Sequence, residues 1–204
     1  MAAFANVLPT RRLSAKIALT AKAESRTRRM EMPNPKRPYI CGPLTDLPVN
    51  LQAGVKQLYQ NLAEVCQEEL GVRGYVPHEH TDPIMHASIS AAEVHDRDKQ
   101  IVCNNSDYII AVPLFPSTGA GMEIGWAEDH MIPVILLLPA GKKITRLVLG
   151  SPAVVARLEF ETLATAPEVL RKYFRSQPAG KNKPRKKHPE YKDLRDRLVA
   201  EIAQ

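Results

Sequence analysis

Apolar positions along this chain fall into two alternating patterns. Short runs rich in β-branched residues, RPYICG (37–42), RGYVPH (73–78), DYIIAVP (107–113), PVILLLP (133–139) and VVARLEF (154–160), read as strands. Between them, LQAGVKQLYQNLAEVCQEEL (51–70) places apolar residues at helical spacing, with Gly71 set to end the helix. ISAAEVHDRDKQIVCNN (89–105) is helical after a cap signal at Ser90, and GAGMEIGWAEDHM (119–131) and APEVLRKYFRS (166–176) complete the series. Strands alternating with helices at this spacing predict an α/β chain. The expected architecture is a three-layer Rossmann/flavodoxin-like fold whose central, mainly parallel sheet has about five strands. No internal repeat points to a solenoid.

Ligands of such sheets bind beyond the carboxyl ends of the strands. Four loops fall there: CGPLTD, PHEHTD, PLFPSTGAG and PAGKK. The third is rich in small residues. Gly119 and Gly121 permit close backbone approach, Ser117 and Thr118 offer hydroxyls, and the amides of a helix start suit an anion such as a phosphate. Glu123 follows within the first turn or so, where the helix dipole is expected to favour its ionised form. By itself this is either a dipole-complementing carboxylate or a nucleophile or base. On the preceding helix, Asp98 lies three residues after His95 and four before Val102, so these share one face that meets the ligand edge. Two converging carboxyls with separate roles are what cleavage of a glycosidic bond requires. Asp96, Arg97 and Lys99 read as the solvated side of that helix.

With 204 residues, 44% hydrophobic and 25% charged, the chain can fill one core. Its longest apolar run, IPVILLLPA, is too short to span a bilayer, so no membrane partner is expected. The formal charge of +6 is concentrated at the ends. Residues 1–35 read as a basic arm, a targeting segment, or an extension ahead of a start at Met30 or Met32. Residues 36–176 read as the expected catalytic domain, and 177–204 as a basic linker with a short amphipathic helix carrying Leu194, Leu198 and Ile202. The Lys/Arg run of that tail contains no aromatic residue, so it reads as a solvated linker in preference to a nucleic-acid platform. Cys41, Cys66 and Cys103 make no C-x-x-C pair and suit a reducing compartment, so a cytoplasmic location is expected, with organellar targeting by the arm as the other option. Each cysteine is read as a small core residue.

The segments YICGPLT, HDRDKQIVCNNSDYIIAV and PSTGAGMEIGWA together resemble the nucleoside 2-deoxyribosyltransferase superfamily, and within it the nucleoside 5'-monophosphate N-glycosidases, over roughly residues 37 to 175. GMEIGWAEDHMIPVILLL is especially similar to cytidylate N-glycosidases, and the whole pattern to the 2'-deoxynucleoside 5'-phosphate N-hydrolases. The resemblance implies that Glu123 is a nucleophile forming a glycosyl ester, that Asp98 helps to protonate the departing base, and that Tyr39 holds the nucleophile. It implies a phosphate site at Ser117, Gly119 and Gly121, a substrate-side histidine at His78 with His80 competing for the part, and a homodimer in which Ser151 is a candidate partner contribution. Gly42 of the first loop joins the substrate-binding set. In that loop, GPLTDLP carries Thr45 and Asp46 where family hydrolases often carry an arginine.

The expected activity is hydrolysis of a (deoxy)ribonucleoside 5'-monophosphate to free base and sugar phosphate, with no cofactor and no metal. Two other readings stand beside it: deoxyribosyl transfer between bases, and a non-catalytic nucleotide-binding module. A cytokinin-forming phosphoribohydrolase is more distant, since its triple-glycine loop is missing.

Overall fold

The computed structural model describes residues 37–45 and 47–177. The N-terminal arm and the basic linker with its amphipathic helix lie outside the described residues, as does Asp46.

Four strands form one parallel sheet: β1 (Pro38–Cys41), β2 (Tyr108–Ala111), β3 (Val134–Pro139) and β4 (Val154–Phe160), in the order β1-β2-β3-β4. Every residue of β1 and β2 is buried, as is β3 except Pro139, which is why these runs are continuously apolar; β4, at the edge, alternates. The expected fifth strand, RGYVPH, is reduced to one parallel bridge between Tyr39 and Tyr75. Ile40 N donates to Tyr75 O at 2.9 Å and Tyr75 N to Pro38 O at 2.8 Å. The run cannot extend, because Pro77 lacks an amide hydrogen and already has helical φ and ψ of −53° and −42°. Tyr75 therefore stands beside β1 on the side opposite β2, which preserves a flavodoxin-like strand order with a single residue in the fifth place.

Helix α1 (Val49–Leu70) packs Val55, Leu58, Tyr59, Leu62 and Cys66 against one face of the sheet and stops at Gly71, whose φ of 77° only glycine adopts cheaply. A single turn, α2 (His78–Thr81), follows the Tyr75 bridge. Helix α3 (Ala91–Gln100) opens with a reciprocal capping box between Ser90 and Glu93. It runs on into a widened π turn at Ile101–Asn105, which the periodicity of the sequence does not announce. Helix α4 (Thr118–Asp129) packs Ala120, Ile124 and Ala127 on the second face, together with Val102 of the π turn. The short α5 (Arg146–Gly150), also unforeseen, precedes β4, and α6 (Ala166–Ser176) returns to the α1 face through Leu170 and Phe174. Among the described residues no helix is long and apolar enough to cross a membrane.

Candidate active site

Strand periodicity points Tyr39 and Cys41 of β1 to the same face, where both meet α4. The Tyr39 hydroxyl donates to Glu123 Oε1 at 2.5 Å, and Cys41 Sγ lies 2.8 Å from Glu123 Oε2 and 3.6 Å from the Ala120 carbonyl oxygen. Each oxygen of the carboxyl thus has its own donor. Both donors are fully buried and Glu123 is only 9% exposed.

Glu123 is the sixth residue of α4, in its second turn. The expectation that the helix dipole keeps it ionised is therefore corrected, because that field fades within the first turn. Burial pushes its carboxyl up to about 7, the thiol of Cys41 and the hydroxyl of Tyr39 oppose the rise, and the charge of Asp98 adds to it. Asp98, half-buried on α3 with Oδ1 unpartnered, is pushed up to about 6 by burial, with the neighbouring Arg97 opposing. The two carboxyls repel, so their protons leave in coupled steps and the singly protonated pair prevails near neutrality. The higher value of Glu123 puts the proton of that pair on Glu123, while its two donors and the unpartnered Oδ1 of Asp98 favour the reversed form, with the charge on Glu123 and the proton on Asp98, as the one that reacts. Burial first, and then the Glu123 charge, keep Tyr39 and Cys41 protonated.

An aromatic ladder backs this centre. Tyr39 stacks on Tyr75 with centroids 5.5 Å apart, and Tyr75 on exposed His80 at 4.8 Å. On the other flank His95 meets Trp126 edge-on at 5.3 Å and ties α3 to α4. The structure separates the two histidines that the sequence left in competition. His80 is a surface stacking partner, whereas His78 is buried with both ring nitrogens unpartnered, and desolvation lowers its pKa. Its ring lies 6.0 Å from that of Tyr59. Behind it, Lys56 of α1 pairs with buried Asp82. Burial alone would raise that carboxyl, but Lys56 and the amides of Met85 and Ile84 draw it down to about 2.

The glycines of the loops differ in what they are for. A Cβ on Gly42 would sit 2.3 Å from the Tyr59 hydroxyl, which donates to Pro43 O at 3.0 Å, so packing within the protein accounts for this glycine. Outside the backbone of its own helix, a Cβ on Gly121 would meet nothing within 4 Å, and one on Gly119 only Ser117 Oγ at 3.9 Å. The space over these two is open to a ligand. Ser117 caps α4 by accepting from Ala120 N at 3.2 Å, which leaves its own hydroxyl proton to donate. Ser151 lies before β4 at the opposite edge, donating to Glu128 Oε2 at 2.6 Å. A cleft of about 310 Å³ beside Tyr75, lined by Arg37, Gly74, His80 and Asn105, also belongs to the amino edge of the sheet and not to the Glu123 loops.

The structure thus brings together Tyr39, Asp98 and Glu123, and sets Ser117, Gly119 and Gly121 at the start of the Glu123 helix. Sequence reasoning missed Cys41, although its place two residues after Tyr39 on one strand was the signal that it shares that face. Tyr59 carried no such signal.

No protein-family model and no curated protein matches the chain. Solved structures do. Clostridium botulinum CMP N-glycosidase, BcmB, superposes with a TM-score of 0.50 at 22% identity, covering 68% of this chain and 99% of that one. The 2-deoxyribosyltransferase of Bacillus psychrosaccharolyticus gives 0.47 at 19%, covering 64% and 90%, and a conserved protein of Enterococcus faecalis V583 gives 0.46 at 17%, covering 68% and 98%. At this level of identity the superposition on BcmB speaks to architecture, and the chain has the α/β fold of that protein.

Proposed function

We propose that this protein hydrolyses the N-glycosidic bond of a (deoxy)ribonucleoside 5'-monophosphate, releasing free base and sugar 5-phosphate. The observation that carries the reading is the buried Glu123 carboxyl gripped by Tyr39 and Cys41 with a second raised carboxyl, Asp98, beside it. A pair of acids whose environments differ is the equipment of glycoside cleavage. The motif resemblance to nucleotide N-glycosidases and the fold shared with a CMP N-glycosidase point the same way.

In this scheme the phosphate lies over Gly119 and Gly121, against the first amides of α4 and the Ser117 hydroxyl. His78 lies on the substrate side of a neighbouring loop. Glu123 attacks C1', forming a glycosyl ester as the C1'–N bond breaks, and the proton of Asp98 passes to the departing base. Asp98, now ionised, takes a proton from water, which adds at C1' and expels Glu123 as carboxylate. Both displacements invert, so the configuration is retained, and Asp98 ends protonated as it began.

The test is chromatographic analysis of the purified protein incubated with the common ribo- and deoxyribonucleoside 5'-monophosphates. Free base in equal amount to sugar phosphate is expected from at least one of them. Base exchange from an unphosphorylated deoxynucleoside, without net hydrolysis, would instead identify a transferase, and no reaction of either kind would identify a binding module.

A further inference from the structure

We infer that Cys41 is a positioning residue for Glu123, sharing one S–H proton between the Glu123 carboxylate and the Ala120 carbonyl so that the carboxylate is held in the resting protein and released as it reacts. The inference rests on the reading of Glu123 as nucleophile.

Three observations carry it. Cys41 Sγ lies 2.8 Å from Glu123 Oε2 and 3.6 Å from Ala120 O, so a single thiol proton has two acceptors within reach. The side chain is fully buried, so no water replaces either partner. Tyr39, on the same face of β1, already occupies the other carboxylate oxygen. Between them the two donors fix the plane of the carboxylate from both sides.

The chemistry favours a thiol here. A hydroxyl pair would fix the carboxylate as firmly but would quench its charge on both oxygens, whereas S–H is the weaker donor and leaves Oε2 the more nucleophilic. Once Oε2 bonds C1' in the glycosyl ester that oxygen accepts poorly, and a buried donor on it would be stranded. The Ala120 carbonyl, one turn earlier on the same helix, gives the S–H somewhere to turn. No proton leaves sulfur at any point, so the step alters a hydrogen bond and nothing covalent.

The charged and titratable groups that face Glu123 are Tyr39 and Cys41 from β1, Asp98 from α3, Tyr59 from α1 and Tyr75 beside β1. Of these only Tyr39 and Cys41 donate to it directly. Removing Cys41 therefore removes one of its two direct donors and leaves the repulsion from Asp98 in place.

The experiment follows the Glu123 carboxyl by carbon-13 NMR titration in the full chain as wild type, Cys41→Ala, Cys41→Val and Cys41→Ser, with kcat for base release measured against pH alongside. Thermal unfolding shows which variants are folded, and the larger valine serves as the donor-free variant if the alanine cavity is not tolerated. Loss of the donor is expected to raise the Glu123 midpoint by about one pH unit, which lowers activity about tenfold at a fixed pH below it. Cys41→Ser is expected to return the midpoint to the wild-type value or below. An unmoved midpoint in a folded donor-free variant, or the same rise in Cys41→Ser, would overturn the inference. If no nucleotide yields free base, the proposed function falls, while the NMR midpoint still decides the part played by Cys41.

Discussion

The Tyr39 hydroxyl donates to Glu123 Oε1 across 2.5 Å, joining residues 84 positions apart and fixing the carboxyl of α4 against the first strand. Tyr39→Phe keeps the ring and its stacking on Tyr75 but removes this donor. The Glu123 midpoint should rise, moving the acid limb of kcat upward by about one pH unit and lowering kcat by about fivefold at pH 7 and about tenfold well below it. A pH profile of base release checks this. Wild-type kinetics in the phenylalanine variant would show that the hydroxyl only packs.

Asp98→Asn removes the group that protonates the departing base while preserving its shape. Activity is expected to fall by about 10²-fold or more, and the loss of rate at high pH expected of the wild type as Asp98 ionises should vanish. Steady-state base release between pH 5 and 9 reads both effects. An unchanged alkaline limb would assign it to another group.

The raised carboxyls also make stability depend on pH with a definite sign. Burial lifts Glu123 to about 7 and Asp98 to about 6, both above their unfolded values. The stability they confer is full below those unfolded values, near pH 4, and is lost as pH rises through about 6 and then about 7. Glu123→Gln should therefore be more stable than wild type at pH 8, by up to about 3 kcal/mol, with the gap closing toward pH 4. Asp82 runs oppositely: drawn down to about 2, it contributes above its unfolded value and ceases to as pH falls through about 2. Urea unfolding at pH 4, 6 and 8 tests the first sign.

Two glycine substitutions separate packing from ligand space. Gly42→Ala drives a methyl to 2.3 Å from the Tyr59 hydroxyl and should cost about 1–3 kcal/mol. Gly121→Ala meets nothing within 4 Å and lies inside a helix, so it should stabilise the fold by about 0.5–1 kcal/mol. If the nucleotide phosphate lies there, the same methyl should raise KM at least several-fold. Melting curves and KM for the two variants give the comparison; an unchanged KM in Gly121→Ala places the phosphate elsewhere.

Much of the fold was legible because local chemistry and the global pattern agree. Gly71 ends α1 in the left-handed conformation, Ser90 caps α3 as the sequence signals, and α6 runs over the stretch its periodicity marks. What was not legible depends on tertiary contact. RGYVPH has the composition of a strand, yet Pro77 turns the chain after one bridge. The π turn at Ile101–Asn105 is a backbone register that side-chain periodicity does not encode. At the site, Glu123 and Asp98 could be singled out from their loops and faces, but the direction of the Glu123 shift could not. A dipole argument needs only the helix start, whereas desolvation depends on β1 and α4 closing over the carboxyl. Gly42 likewise reads as ligand space until Tyr59 is seen against it.

The central claim is that Glu123 is the nucleophile, and base release by Glu123→Gln beside the wild type tests it most directly. The amide keeps the shape of the carboxyl and an oxygen to accept from Tyr39, so nucleotide binding, followed by calorimetry, should survive. The account predicts that base release falls by about 10³-fold or more while binding changes little. A Glu123→Gln protein that releases base at a rate close to wild type would contradict it.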